Sequence, residues 1–247
     1  MINKMLRRTS IRSFEDRKID DETIKQLSQV VNSAPTSMNG QIFSCVFVTD
    51  KNKLKFIKEL MDKNMPSNSV DRSFVYHASL LAIFCIDLNK LEYACAKNNL
   101  KPVLGGLDLL ATASGDAYIG ATMLMDASIS LGLGTCFLGS IKGITDDLKQ
   151  LLKLDGNIFP IVGLLIGYSN EINDIKPKMN KVYFEEYSLT DIKNEVDKYD
   201  TIFSNYLLKR NSLNKNDNWS KPYSSIMSNN NVYKVLENNF KNWVKFN

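Results

Sequence analysis

The sequence predicts an α+β fold in a single domain, and three observations lead to that reading. Strand-like and helix-like segments alternate over the first 175 residues. One stretch, residues 106–131, is apolar enough on most sides to be a helix at the heart of a core. From Lys176 onward the chain becomes polar and rich in Asn, Lys and Tyr, with too few large aliphatics for a second core. Residues 1–175 are therefore read as the core. Residues 176–247 are read as a C-terminal extension that wraps the core or a partner subunit.

The elements follow in order. Asp20 is a natural N-cap, and Ile24, Leu27, Val30 and Val31 share one helical face that must end before Pro35. Residues 43–49 are β-rich. Leu54, Ile57, Leu60 and Met61 mark a second amphipathic helix, and residues 66–72 read as loop. Residues 80–86 are apolar throughout, as a strand buried on both faces is. In 106–131, Leu109, Leu110, Ala113, Ala117, Ala121, Leu124, Met125 and Ala127 leave little polar surface. Such a helix belongs either in the centre of a domain or across a dimer interface. Gly132 and Gly134 end it and open a strand at 135–138. A helix near 144–152 and a strand at 159–166 come next. In the extension, Ile192, Val196, Tyr199, Phe203 and Tyr206 trace a helical stripe, 211–218 is a polar loop, and 232–246 is a last amphipathic helix.

Composition removes several function classes. The 247 residues carry a net charge of +4, and no aromatic–basic interleaving accompanies it, so no nucleic-acid partner is expected. The longest apolar runs, 79–86 and 158–167, fall well short of the roughly 20 residues of a membrane helix. The basic N-terminus has no apolar signal-peptide segment. Cys45, Cys85, Cys95 and Cys136 are far apart, which suits reduced thiols of a cytoplasmic, metal-free protein. Gly132-Leu133-Gly134 is followed by Phe137 where a dinucleotide fingerprint needs Gly, and no P-loop, G-x-S-x-G or H-E-x-x-H occurs. His77, the single His, is read as a packing or capping residue.

Three loop clusters remain. Arg7-Arg8-Thr9-Ser10-Ile11-Arg12 offers guanidinium groups and hydroxyls suited to phosphate, or else a solvated basic face. Pro35-Thr36-Ser37-Met38-Asn39-Gly40-Gln41 offers short polar side chains to a heterocycle, or is a plain helix-to-strand turn. Lys176-Pro177-Lys178 holds two cations apart on a stiff Pro.

These clusters also resemble a known family. Residues 8–14, Arg-Thr-Ser-Ile-Arg-Ser-Phe, resemble the R-R-S-x-R-x-F opening of FMN-dependent nitroreductases, and Ala34 to Gln41 is similar to their A-P-S-S-x-N-x-Q turn. Residues 131–140 resemble their G-L-G-x-x-x-I-G-G segment. Residues 162–168, followed by Lys176-Pro177-Lys178, resemble their G-L-x-x-G-x-P and K-P-R stretch. The likeness is nearest the oxygen-insensitive NADPH nitroreductase and flavin reductase branch. This chain departs from the pattern at Thr9 (for Arg), Lys178 (for Arg) and Ser140 (for Gly).

The resemblance implies a nitroreductase-like homodimer with a mixed sheet flanked by helices and non-covalent FMN at the dimer interface. By position, Arg8, Thr9 and Ser10 would bind the FMN phosphate, with Lys176 and Lys178 closing on it. Arg12 would reach toward N1 and O2 of the ring, where a fixed cation favours the reduced form. Thr36, Ser37 and Asn39 would come from the other subunit, and Leu138, Gly139 and Ser140 would line the ring by backbone contact. Arg72 aligns with a Gln that often contacts the flavin, or is a loop cation. Arg210 and Lys215 would hold the 2′-phosphate of NADPH in preference to NADH, or are exposed loop charges. The implied activity is ping-pong, two-electron reduction of nitroaromatics, quinones or flavins by NAD(P)H. The alternatives are a flavin reductase supplying free reduced FMN and a non-catalytic flavin-binding or storage protein.

Overall fold

The computed structural model describes residues 1–64, 71–209 and 218–228. They fall into two compact units divided after Asn173. The first unit runs α1 (Ile2–Leu6), α2 (Asp21–Asn32), a 3-10 turn (Ser37–Asn39), β1 (Phe43–Val48), α3 (Lys51–Asn64), α4 (Ser73–His77), β2 (Leu80–Asp87), α5 (Asn89–Lys97) and α6 (Leu107–Ser130). It continues with β3 (Gly134–Leu138), a second 3-10 turn (Gly139–Ile144), α7 (Thr145–Leu152) and β4 (Ile158–Gly167). The second unit holds α8 (Leu189–Lys209) and α9 (Ser220–Met227).

The start of α2 follows from local chemistry. The Asp20 carboxylate accepts the Thr23 N–H and the Thr23 hydroxyl, each at 2.8 Å, and Asp21 and Glu22 sit at the positive end of the helix.

The sheet has strand order β1-β2-β4-β3, and every described pair is antiparallel. This differs from the mixed sheet that the family resemblance implied. A strand covered on both faces reads as a continuous apolar run whichever way its neighbours point, so composition does not reveal direction. All of β2 and β4 is buried. Along β2, Leu81, Ile83 and Cys85 pack with Leu54, Ile57 and Met61 of α3 and with Val75 of α4. The alternate residues Leu80, Ala82, Phe84 and Ile86 pack with Leu27 of α2 and with Ala113, Ala117, Ala121 and Leu124 of α6. Helices thus cover both faces. A Cβ at Gly120 would lie 2.9 Å from Phe43 Cζ and 3.3 Å from Phe84 Cε1, so α6 rides on the sheet at a distance only glycine permits. The rest of α6 is not all inside, since Tyr118 and Ile119 are part-exposed.

Four short helices had no strong periodicity to announce them: α1, α4, α5 and α9. Two of them are fixed from outside. Lys4 Nζ of α1 donates to the Ser130 carbonyl at 2.9 Å, and Lys51 Nζ donates to the carbonyls of Tyr76, His77 and Ala78 at the end of α4. His77 is exposed, its ring edge-on to Tyr76 at 5.2 Å. It is not packed against β2 because α4 carries it to the surface. All four cysteines are free, and burial pushes the Cys85 thiol up to about 12.

In the second unit the stripe on α8 packs through aromatics. Tyr199 meets Phe203 at 5.6 Å and Trp219 at 5.7 Å, and Trp219 stacks on Tyr223 at 5.0 Å. Asp200 accepts the N–H groups of Trp219 and Ser220 and so starts α9. The expected helix at 232–246 and nearly all of the loops at 66–72 and 211–218 lie outside the described residues.

Candidate functional site

The Arg8–Phe14 segment is fixed by packing before any ligand is considered. The Ile11 N–H donates to the Thr135 carbonyl at 3.0 Å, which lays the segment beside β3. Ile11 and Phe14 are buried, and each fills the space left by a glycine. A Cβ at Gly134 would lie 2.9 Å from Ile11 Cγ1, and one at Gly167 would lie 2.9 Å from Phe14 Cδ1. The glycines of two sequence motifs are therefore sockets for the apolar residues of a third.

Between those anchors, the N–H groups of Arg12 and Ser13 donate to one oxygen of Glu171 at 2.8 and 3.0 Å. The Ser169 hydroxyl donates to the Ser13 carbonyl and accepts the Glu171 N–H at 3.0 Å. Burial pushes the Glu171 carboxyl up, but the Arg12 N–H, the Asn173 side chain and the Ser13 N–H outweigh it, and the net shift is downward. A depressed folded-state value means stability that is present above the ordinary glutamate range and lost as pH falls through the lowered value. The wild type should therefore out-melt Glu171→Gln at neutral pH, with the gap closing on acidification. A Tm series from about pH 6 to about pH 3 reads this, and a constant gap would refute it.

The segment carries two guanidinium groups against the one carboxylate, Glu171, that its backbone binds. Neither Arg8 nor Arg12 has a carboxylate within ion-pair distance among the described residues. Both act on Cys136, as does the Ser10 hydroxyl: burial pushes that thiol up, Arg12, Arg8 and Ser10 pull it partly back, and Glu171 adds to the rise. Lys4, Arg7, Arg8 and Thr9 line a cleft of about 440 Å³, together with Leu133 and Thr135 among others. Three cations with no lining carboxylate make this a place for an anion.

The Thr36–Gln41 turn is held from beneath. Met38, Asn39 and Gln41 have φ of 51°, 55° and 53°, a left-handed conformation that costs side-chain-bearing residues energy unless the surroundings impose it. The imposing group is Asp116 of α6, which is 1% exposed. It accepts the Ser37 N–H at 3.0 Å and the Ser37 hydroxyl at 2.9 Å. Gln41 then closes the turn, donating from its backbone and side chain to Thr36 Oγ1 and from Nε2 to Asn39 Oδ1 at 2.6 Å.

Leu138 ends β3 in the core, while Gly139 is exposed and a Cβ there would meet nothing within 4 Å. Gly139 and Ser140 open the second 3-10 turn. The structure thus places Arg8–Arg12 directly along the strand that leads into Leu138-Gly139-Ser140. Arg72 is buried and donates to Asp62 of α3 at 3.3 Å, and Asp62 also pairs with Lys58 at 2.7 Å. In the second unit, Lys176 lies 5.9 Å above the Phe203 ring and Lys178 is exposed. Arg210 and Lys215 lie outside the described residues.

Two residues of the site were not foreseen from sequence. Asp116 did have a signal, a lone carboxylate between the inward-facing Ala113 and Ala117 of an apolar helix. Glu171 had none, because one acid in a polar loop looks like any other.

A helix-covered antiparallel sheet with an Arg-bearing segment laid along its edge defines a small-molecule-binding α+β protein with an anion-directed site. Residues 5–168 match the nitroreductase family, and the chain belongs to it. It is 30% identical over 234 residues to the FMN reductase [NAD(P)H] of Bacillus subtilis, covering 91% of this chain and 90% of that protein. It is 27% identical over 214 residues to the oxygen-insensitive NADPH nitroreductase of Salmonella typhimurium, covering 85% and 84%. Among solved structures, B. megaterium NfrA2 superposes with a TM-score of 0.84 at 30% identity, over 96% of each chain.

Proposed function

We propose that this protein is an FMN-dependent NAD(P)H oxidoreductase that passes two electrons at a time to nitroaromatics, quinones or flavins, working as a homodimer. The observation that carries the reading is the Arg8–Ser13 segment. Its backbone is pinned by Thr135 and Glu171, and its guanidinium groups have no carboxylate within ion-pair distance among the described residues. A phosphorylated flavin fits such a donor set. Arg8, Thr9 and Ser10 would take the phosphate, with Lys176 and Lys178 assigned to it by their motif, and Arg12 would face the pyrimidine side of the ring. The open backbone at Gly139 would let a planar ring approach beside Leu138 and Ser140. Bound FMN would supply the acceptance and donation of hydride.

What the chain itself does is bind, orient and stabilise. Arg12 places a fixed positive charge where reduction adds negative charge. Thr36, Ser37 and Asn39 are assigned to the ring's edge from the partner subunit, on a turn whose shape Asp116 imposes. The part-exposed Tyr118 and Ile119 of α6 and the 98% exposed Met38 support a dimer that covers them. Free cysteines, two of them buried, support a reducing, cytoplasmic location. No described helix is long and apolar enough to cross a membrane. NADPH is assigned to Arg210 by motif position alone, with Lys215 as the second candidate.

The test is the visible spectrum of the purified protein under anaerobic conditions. Yellow protein should bleach with NADPH and regain its colour with a nitroaromatic over many cycles. Protein that is colourless and ignores added FMN would remove the reading. The relative named FMN reductase [NAD(P)H] favours a second reading, supply of reduced flavin to other reactions. Rates with free FMN and with a nitrofuran, compared side by side, separate the two.

A further inference from the structure

We propose that Asp116 is a positioning residue that makes Ser37 a hydrogen-bond acceptor, and never a donor, toward the bound flavin. The inference rests on the flavin reading and deepens it. Ser37 has two donors, its backbone N–H and its hydroxyl. The N–H lies 3.0 and 3.2 Å from the two oxygens of Asp116, and the hydroxyl lies 2.9 Å from Oδ1. Both donors are therefore committed inward. Ser37 is exposed, so what its side chain shows to a ligand is the lone-pair side of its oxygen.

The carboxylate makes that lone pair unusual. Asp116 is 1% exposed and has no cation within ion-pair distance among the described residues. A buried carboxylate that water cannot reach and no cation neutralises acts electrostatically through the groups that bond it. Ser37 Oγ is accordingly the negative end of a two-link chain starting inside α6. It accepts from an O–H or N–H of the flavin, a ribityl hydroxyl or a ring N–H, and it repels the ring carbonyls and the phosphate. This sets it opposite in sign to Arg12. One group favours the added electrons, and the other holds the ring from a side where it offers hydrogens.

Asp116→Asn tests this with little change of volume. The amide keeps an oxygen for Ser37 and loses the charge. Apoprotein is titrated with FMN by quenching of flavin fluorescence, and the midpoint potential of the reconstituted protein is measured, for wild type, Asp116→Asn, Asp116→Ala and Ser37→Ala. Circular dichroism checks folding. Asp116→Asn should bind oxidised FMN within about threefold of wild type yet favour the reduced flavin about tenfold more, a rise of about 30 mV for a two-electron couple. Asp116→Ala should lose at least about tenfold in FMN affinity, because the left-handed turn is released. A residue that only packs α6 would lower affinity without moving the potential of the Asn variant. An unchanged potential in Asp116→Asn, or undiminished FMN affinity in folded Asp116→Ala, overturns the proposal. Wild-type apoprotein that takes up no FMN overturns the flavin reading itself, and this inference with it.

Discussion

Replacing Arg12 with Ala is expected to slow reduction of the bound cofactor by NADPH about 100-fold, while FMN affinity falls by less than about tenfold. The asymmetry follows from where each interaction is made. The Arg12 backbone N–H is tied to Glu171 at 2.8 Å and survives the substitution, so Arg8, Thr9 and Ser10 keep their course along β3. Only the guanidinium is lost, and with it a fixed positive charge that among the described residues has no carboxylate within ion-pair distance. A preorganised charge of this kind matters most when negative charge develops beside it, as in an oxyanion hole, where removing one donor costs about 10²–10³ in rate. Stopped-flow bleaching and FMN titration on one preparation read the two quantities. Equal losses in both would mean that Arg12 is a phosphate ligand rather than a ring-facing cation.

The second large effect is steric. Gly134→Ala should lower Tm by about 4–8 °C and weaken FMN binding by at least about tenfold. The new methyl would lie 2.9 Å from Ile11 Cγ1, 3.1 Å from Cγ2 and 3.2 Å from Cβ. Those atoms belong to the stiff, branched root of a buried side chain, so the whole residue must move. Moving Ile11 disturbs its N–H bond to Thr135 and displaces Arg12 beside it and Arg8 three residues before it. Overpacking of this kind costs about 1–3 kcal/mol. Thermal melts with and without FMN measure both parts, and Gly132→Ala serves as a contrast. A Cβ at Gly132 meets nothing within 4 Å, so its φ of +81° leaves backbone strain as the only cost.

What the sequence made legible follows from how local each cause is. The Asp20 cap, the apolar face of α3, the unbroken apolar run of β2 and the long helix α6 each depend on neighbours in the chain; β2 and α6 lie within a residue of the limits the sequence predicts, and the four apolar markers of α3 are all buried. The short helices α1, α4, α5 and α9 were not read. Strand direction was lost for a related reason, since β2 and β4 are buried on both faces and carry no alternation to betray their partners. At the site, the basic residues and the polar turn were visible as composition. Their supports, Glu171 and Asp116, lie 158–159 and 79 residues away from the groups they hold, and no local pattern spans such distances. The reason for Gly134 and Gly167 was hidden in the same way: a motif shows the glycine, and only the fold shows Ile11 and Phe14 filling the space beside it.

The tie between Arg12 and Glu171 spans 159 residues of chain, which gives the site a birth order. On a ribosome adding about 5–20 residues per second, the arginines emerge about 8–30 s before the carboxylate that will anchor them. Thr135, the other anchor, appears only after β1 and β2 have been made. The hydrogen bonds from Arg12 and Ser13 to Glu171 thus form only once translation has passed β4.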